Sequence, residues 1–231
     1  MWDSVRLLRA AAGFVVGFAT LALLAGGAYW LSHAAFFRVR AIELCSILEH
    51  APREQIEAVM ARHAGGNFFA APIDELRASL ERLPWVRKAG VRRVWPDRLE
   101  VTLEEHVALA RWGADALVNA YGERFAGTAQ AELPMLSGPA GSEAEVTRRY
   151  LRLIELVRPL GSPIEAVSLS ARHAWQVRLA NGIELKLGRD GDAAERRLGR
   201  FIDAYAGSAR AAAGALIDLR YPNGFALRVS G

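Results

Sequence analysis

The pattern of apolar and polar positions divides the chain into one unbroken apolar run followed by segments of clear periodicity. From Ala10 to Leu31 there are 22 residues with neither a charge nor a proline. As a helix such a run spans about 30 Å, the thickness of a bilayer's hydrocarbon core. A helix is also the one single-segment way to satisfy every backbone polar group in lipid. A cleaved signal peptide would have an apolar core of about 7–15 residues and a small-residue cleavage site. This run is longer, lacks a clean A-x-A site, and ends in Tyr29 and Trp30, the aromatic pair expected at a membrane–water interface. The reading is an uncleaved span over 10–31 with a tail over 1–9. Gly13 and Gly17 form a G-x-x-x-G, and Ala22 and Gly26 repeat the spacing, which would let another helix approach closely.

Beyond the span, Phe36 to Leu44 alternates and predicts a strand. Pro52 opens a helix with Ile56, Val59 and Met60 on one face, and Gly65-Gly66 stops it. Pro72 opens a second helix, with Ile73, Leu76, Leu80 and Leu83 inward and Pro84 at its end. Val86 to Val94 and Leu99 to Leu103 read as two strands joined by Trp95-Pro96-Asp97. The order is β-α-α-β-β, a small α+β module over 36–105.

The module over 106–231 is richer in strands. Val107–Trp112 and Ala116–Asn119 flank a turn containing Gly113, and a loop is expected around Leu133 to Pro139. Ser142 and Glu145 have capping-box spacing ahead of a helix with Val146, Tyr150, Leu153 and Val157 inward, ending at Pro159. Ile164 to Ser170 is a strand. Alternating runs at Trp175–Leu179 and Ile183–Leu187 meet at Asn181-Gly182, the strongest short-range hairpin signal. Asp192 and Glu195 cap another helix, with Leu198, Phe201, Ile202 and Tyr205 on one face. Leu216–Tyr221, a Pro222-Asn223-Gly224 turn and Phe225–Val229 close the chain. The predicted class is α+β: one transmembrane helix, a small β-α-α-β-β domain, and a mostly antiparallel β domain with packed helices.

Charge changes this picture little. The net charge is +4, and the arginines are scattered among acidic residues rather than gathered into a polybasic block. Arg87, Lys88, Arg92, Arg93 and Arg98 are denser, but no aromatic platform interleaves them as single-strand binders require. They read as solvated strand faces paired with Glu100, Glu104 and Glu105 rather than as a nucleic-acid or anionic-lipid patch, and no nucleic acid is expected as a partner. Arg6 and Arg9 precede the span and Arg38 and Arg40 follow it, so orientation rests on the short tail against the large following mass. Cys45 is the sole cysteine; it excludes an intramolecular disulfide and reads as a small core hydrophobe.

Several stretches, in this order and spacing, resemble one family. Asn67-Phe68-Phe69, Pro84-Trp85-Val86 and Arg93-Val94-Trp95-Pro96 in a β-α-α-β-β unit just after a membrane span look like a POTRA domain. Their wording is that of the FtsQ/DivIB cell-division proteins of Gram-negative bacteria. The resemblance continues through Ala110-Arg111-Trp112, Leu133-Pro134, Gly138-Pro139, Trp175-Gln176, Asn181-Gly182, Leu187-Gly188-Arg189, Arg197-Leu198, Arg200-Phe201 and Asp218-Leu219-Arg220-Tyr221. It implies a non-enzymatic scaffold, single-pass in the inner membrane with its N-terminus cytoplasmic and its domains periplasmic, concentrated at the division septum. It implies that the last strands bind FtsB of an FtsB–FtsL complex by strand addition, and that the POTRA domain and span reach further components such as the FtsW–FtsI pair. The family's functional tyrosine falls on Tyr221, its neighbouring arginine on Arg220, and a small polar position on Asn223. A second family arginine falls on Arg172. The family's aromatic near the end of the last strand is replaced here by Val229. The short tail departs from members with longer ones.

The residues themselves allow the same site. A last strand over Phe225, Ala226, Leu227, Arg228 and Val229, entered through Gly224, could be a sheet edge with unpaired backbone groups. A central position for that strand stays open, as do simple packing of Tyr221 and pairing of Arg220 with Asp218. No metal-ligand or catalytic spacing stands out: His33, His50, His63, His106 and His173 are scattered, and no P-loop or G-x-S-x-G occurs. No cofactor and no small-molecule substrate are therefore expected. Two other classes share parts of the pattern. A POTRA-bearing transport or assembly factor would want further repeats or a barrel, and a membrane-anchored hydrolase would want a convergent nucleophile, base and oxyanion donors.

Overall fold

A computed structural model describes residues 3–32, 37–129, 132–189, 191–211, 214–221 and 224–228. The chain forms two compact units, Met1–Glu105 and His106–Gly231. The apolar run becomes helix α1, Asp3–Ser32. Its window Ala12–Trp30 is long and apolar enough to cross a membrane, and none of it is buried against the protein. Within it the Thr20 hydroxyl donates to the Val16 carbonyl at 2.8 Å, so this hydroxyl is satisfied inside the helix.

The rest of the first unit is the expected β-α-α-β-β: β1 Ala41–Leu44, α2 Arg53–His63, α3 Ile73–Leu80, β2 Val86–Val94 and β3 Arg98–Glu105. The sheet order is β1-β3-β2, with β1 parallel and β2 antiparallel to β3. Ile56, Val59 and Met60 of α2 and Leu76 and Leu80 of α3 are buried, as are Leu99 and Val101 beneath them. Each fully buried leucine contributes about 1.5–3 kcal/mol of apolar transfer. The basic residues are spread over paired faces: Arg87 to Glu104 at 2.6 Å, Arg92 to Glu100 at 2.6 Å, and Arg98 to Glu43 at 3.1 Å. Glu105 behaves differently from the expected strand-face partner. Its carboxylate accepts the backbone N–H groups of Glu49, His50 and Ala51 and pins the loop after β1.

Cys45 is exposed, not a core residue. It follows the end of β1 two positions after Glu43, so the strand's alternation puts it on Glu43's solvent face.

The second unit is a nine-stranded sheet with two helices: β4 Ala108–Trp112, β5 Ala116–Asn119, β6 Arg124–Phe125, β7 Met135–Ser137, α4 Glu143–Val157, β8 Ile164–Leu169, β9 Trp175–Leu179, β10 Glu184–Gly188, α5 Gly191–Ala211, β11 Leu216–Asp218 and β12 Ala226–Arg228. The strand order is β12-β11-β10-β9-β8-β7-β4-β5-β6. Pairing is mostly antiparallel, with parallel joints at β4–β7, β7–β8 and β10–β11. Inward residues of the strands, such as Val167, Val177, Leu185 and Ile217, join Val146, Leu153, Leu198 and Phe201 of the helices in one core.

Four local expectations change. Met135–Ser137, read as loop, is a strand at the middle of the sheet, parallel to both neighbours. Three residues between prolines carry too short an alternation to announce a strand, although Leu136 is fully buried. Ser142 does not cap α4 with its side chain: its hydroxyl donates back to the Pro139 carbonyl at 2.6 Å, and Glu145 is exposed. The helix also does not stop at Pro159; it tightens into a 3-10 turn over Arg158–Leu160 that Gly161 ends at φ 71°. Glu195 serves the packing of α5 on α4. It lies 2.9 Å from the guanidinium of buried Arg149, which sits 4.9 Å above the Trp175 ring. The side chain of Tyr205 lies outside the described residues.

Candidate functional site

β11 and β12 close the sheet, and β12 is its outermost strand. They pair antiparallel, with Leu216 opposite Arg228, Ile217 opposite Leu227, and Asp218 opposite Ala226. Backbone bonds to β10 fix which groups face which way. Glu184 N–H donates to the Ala215 carbonyl and Leu219 N–H to the Lys186 carbonyl, both at 2.9 Å. Residues 215, 217 and 219 therefore turn their backbone groups to β10, and Leu216 and Asp218 turn theirs to β12. The Ile217–Leu227 pair is then the wide, non-bonded one. The N–H and C=O of Leu227 point away from β11, and no described strand lies beyond them.

The side chains agree with an open edge. Leu227 stands opposite buried Ile217 and so shares the helix-covered face, yet it is 48% exposed. Ala226 and Arg228, on the opposite face, are exposed as well. An edge strand carrying a half-exposed leucine on its core side is unusual in an isolated sheet, since exposed edges are ordinarily shortened, charged or covered.

Two residues of α5 hold this hairpin from beneath. The Arg197 guanidinium donates to the Leu219 carbonyl at 2.6 Å and to the Leu187 carbonyl at 3.3 Å, tying together the ends of β11 and β10. Phe201 meets Phe225 edge-to-face at 5.0 Å, anchoring the chain as it returns into β12. Neither was read as part of the site from sequence, although Phe201 was placed on the apolar face of its helix. An arginine on the buried side of an amphipathic helix was the available signal, but its carbonyl partners lie about 10 and 22 residues away in the chain.

The other expected site residues are brought to the same end of the sheet to different degrees. Arg220 is exposed, and its side chain clamps Asp218, with Nε and Nη2 donating to the carboxylate at 2.6–3.0 Å. This bond chiefly holds the Asp218 carboxyl below its ordinary range, against a smaller opposing effect of burial. The Arg220 stem lies over Gly188, whose positive φ of 83° and missing Cβ leave it room. Tyr221 is 55% exposed beside this clamp. Gly224 is exposed and Phe225 half-buried. Asn223 and Val229 lie outside the described residues. Arg172 is exposed in the β8–β9 turn. The pairing of Gly188 with Trp175 puts that turn at the end of the sheet where β11 exits, with β9 and β10 between them.

Comparison with known proteins now gives these features a context. Residues 37–106 match the family described as "POTRA domain, FtsQ-type". Residues 110–220 match "Cell division protein FtsQ/DivIB, C-terminal". The chain is 41% identical to cell division protein FtsQ of Burkholderia pseudomallei (strain K96243), over all of this chain and 95% of that one. The chain belongs to the FtsQ family of cell-division proteins. It is likewise 37% identical to FtsQ of Nitrosospira multiformis, covering 99% of both chains, and 35% identical to FtsQ of Bordetella pertussis, covering 100% of this chain and 93% of that one. Cell division is thus its setting, and α1 makes it a single-pass membrane protein by length and composition. The FtsQ C-terminal match ends at residue 220, one position before Tyr221 and ahead of the whole of β12.

Two described histidines stack on aromatic rings, His50 on Trp85 at 4.5 Å and His106 on Phe125 at 4.2 Å, and His63 Nδ1 lies 2.9 Å from the Val59 carbonyl. No group of three metal-ligating side chains occurs among the described residues.

Proposed function

We propose that this FtsQ-family chain is a non-enzymatic scaffold of the division machinery that captures FtsB of an FtsB–FtsL complex by strand addition along β12. It stands single-pass in the inner membrane with residues 1–9 cytoplasmic and the domains over 36–105 and 106–231 periplasmic, concentrated at the septum. Through these contacts it links early and late division proteins, with its POTRA domain and span available to FtsW and FtsI. The observation that carries the reading is the outward N–H and C=O of Leu227, beside a leucine side chain that an added strand would cover. In such augmentation main-chain bonds give affinity and alternate side chains give specificity. Tyr221, Arg220 and Arg172 would flank the incoming strand, with Asn223, Gly224, Phe225, Ala226, Arg228 and Val229 completing the surface.

The test is capture of FtsB–FtsL by the full chain in nanodiscs, wild type beside Leu227→Pro. Proline deletes the outward N–H while taking no bond from the β11–β12 ladder. Capture should fall at least 100-fold with the circular dichroism spectrum unchanged. A folded variant that captures like wild type would overturn strand addition at this edge.

A further inference from the structure

One end of the first unit is built from three segments, over 37–40, 66–71 and 93–97 (the end of β2 and the turn after it), that are tied to one another. Val39 N–H donates to the Gly66 carbonyl at 3.1 Å, Phe68 N–H to the Phe37 carbonyl at 2.7 Å, and Arg40 N–H to the Asp97 carbonyl at 2.9 Å. The Arg93 guanidinium donates to the carbonyls of Phe68, Phe69 and Ala71 at 2.8–3.2 Å. The result is a fixed platform. Phe68 is buried in the core, but Phe69 turns outward at 52% exposure, edge-on to Phe37 at 5.2 Å. Trp95, in the β2–β3 turn, is 69% exposed. The same segments carry three arginines, Arg38, Arg40 and Arg93, against the single carboxylate of Asp97, which lies 3.4 Å from the still exposed Arg40 guanidinium.

The chain itself says what lies near this platform. Four residues separate Ser32, the end of α1, from Phe37. Fully extended, that link reaches at most about 18 Å. Phe37 is therefore held within that distance of the last turn of the span. The opposite end of the unit is farther off: β1 and β3 run in parallel away from the platform, with Ile47 beyond the far end of β1 and Glu105 at the far end of β3.

We propose that this platform docks on the bilayer surface, with Phe69 and Trp95 at the headgroup–acyl boundary and Arg38 and Arg40 against lipid phosphates. Exposed aromatic rings flanked by arginine suit that boundary, where an apolar body and a polar rim are both satisfied. Anionic headgroups complement the platform's excess of arginine. Docking holds the POTRA-type unit in one orientation on the bilayer. The inference goes beyond the scaffold reading and rests only on α1 crossing the membrane.

The test uses the full chain with Cys45→Ser, a nitroxide on one introduced cysteine at a time, in vesicles of phosphatidylcholine and phosphatidylglycerol. Power saturation compares access by oxygen with access by a water-soluble nickel chelate at Leu21→Cys, Ile47→Cys, Phe69→Cys and Trp95→Cys. The label at 21 should read deep bilayer and that at 47 water. Labels at 69 and 95 should read the interface, with an oxygen-to-nickel ratio at least threefold above that at 47. Quenching by brominated lipid, taken as wild type minus Trp95→Phe, reads the native indole and should show it quenched. If 69 and 95 match 47 while 21 is deep, or the native indole is unquenched, the docking proposal fails and the span stands. A platform left in water in this way would be free for a protein partner. If 21 itself reads water, the span and the docking fall together.

Discussion

The nine-stranded sheet has two ends, and they are finished in opposite ways. At one end β6 is two residues long, and Phe125 is buried with His106 stacked on it. The turn that leads into β6 is tied by Asn119: its amide donates to the Glu123 carboxylate at 2.6 Å and its carbonyl accepts the N–H groups of Tyr121 and Glu123. At the other end β12 is exposed at all three positions, including a leucine on the core side. A short, side-chain-tied edge is how sheets avoid unwanted pairing. This contrast between the two edges, among the described residues, is what favours the proposal that the β12 edge is the working one, and each prediction below is a way to break or sharpen it.

The largest effect beyond the proline test belongs to Tyr221. A half-exposed aromatic beside a clamped arginine fits the profile of a binding hot spot, where truncation costs about 2 kcal/mol or more. Tyr221→Ala should weaken capture of FtsB–FtsL by about 30-fold or more, measured by titration calorimetry. Because its side chain is over half exposed, the melting temperature should hold. Normal binding by the folded variant would remove Tyr221 from the site.

Next in size is Arg197→Ala, which separates holding the edge from being the edge. Its loss strips donors from the Leu219 and Leu187 carbonyls, and unsatisfied buried acceptors cost about 1–3 kcal/mol. The melting temperature should drop by several degrees, and capture should weaken roughly fivefold because β11 and β12 lose their support. Arg197→Lys, which keeps a donor but not the fork, should fall between the two. Unchanged stability with weakened capture would instead make Arg197 a direct contact. For the same reason Phe225→Lys is a poor probe of the edge: it would put a charge against Phe201 and disturb the hairpin itself.

Much of this architecture was legible before the structure. The β-α-α-β-β order, the Asn181-Gly182 hairpin and the apolar span all follow from period and turn chemistry, which are local. What escaped was non-local. β7 gains its strand character from β4 and β8, not from its own three residues. Glu195 looked like a cap because its partner Arg149 lies on another helix. Ser142 had the capping spacing, but its hydroxyl found the Pro139 carbonyl first. At the edge, the residue types Arg220, Tyr221 and Leu227 were readable. The phase that turns Leu227's backbone outward was not, because it is set by the hydrogen bonds of β11 to β10.

At the closed edge, Arg124→Asp should change capture less than twofold. Arg124 is exposed on β6, so the substitution tests the contrast without touching its core. A large loss there would mean that both ends of the sheet take part in binding.

The smallest effect is that of acid on the Asp218–Arg220 clamp. The Asp218 carboxyl is held below its ordinary value chiefly by its bond to Arg220, and the same bond raises the Arg220 guanidinium further above neutral pH. A depressed carboxyl contributes stability that is complete above its unfolded value of about 3.9 and is lost as pH falls through the lower folded value. The clamp should therefore stay intact from pH 8 down to pH 5 and open only below about pH 4. Capture followed across pH 5–8 should be flat as far as this pair controls it. A midpoint near 6.5 would be that of a histidine, and would show that the edge is governed by a group other than the clamp. In that case Arg220→Ala, which frees Asp218, should leave the midpoint where it is; a midpoint that moved would return control to the clamp.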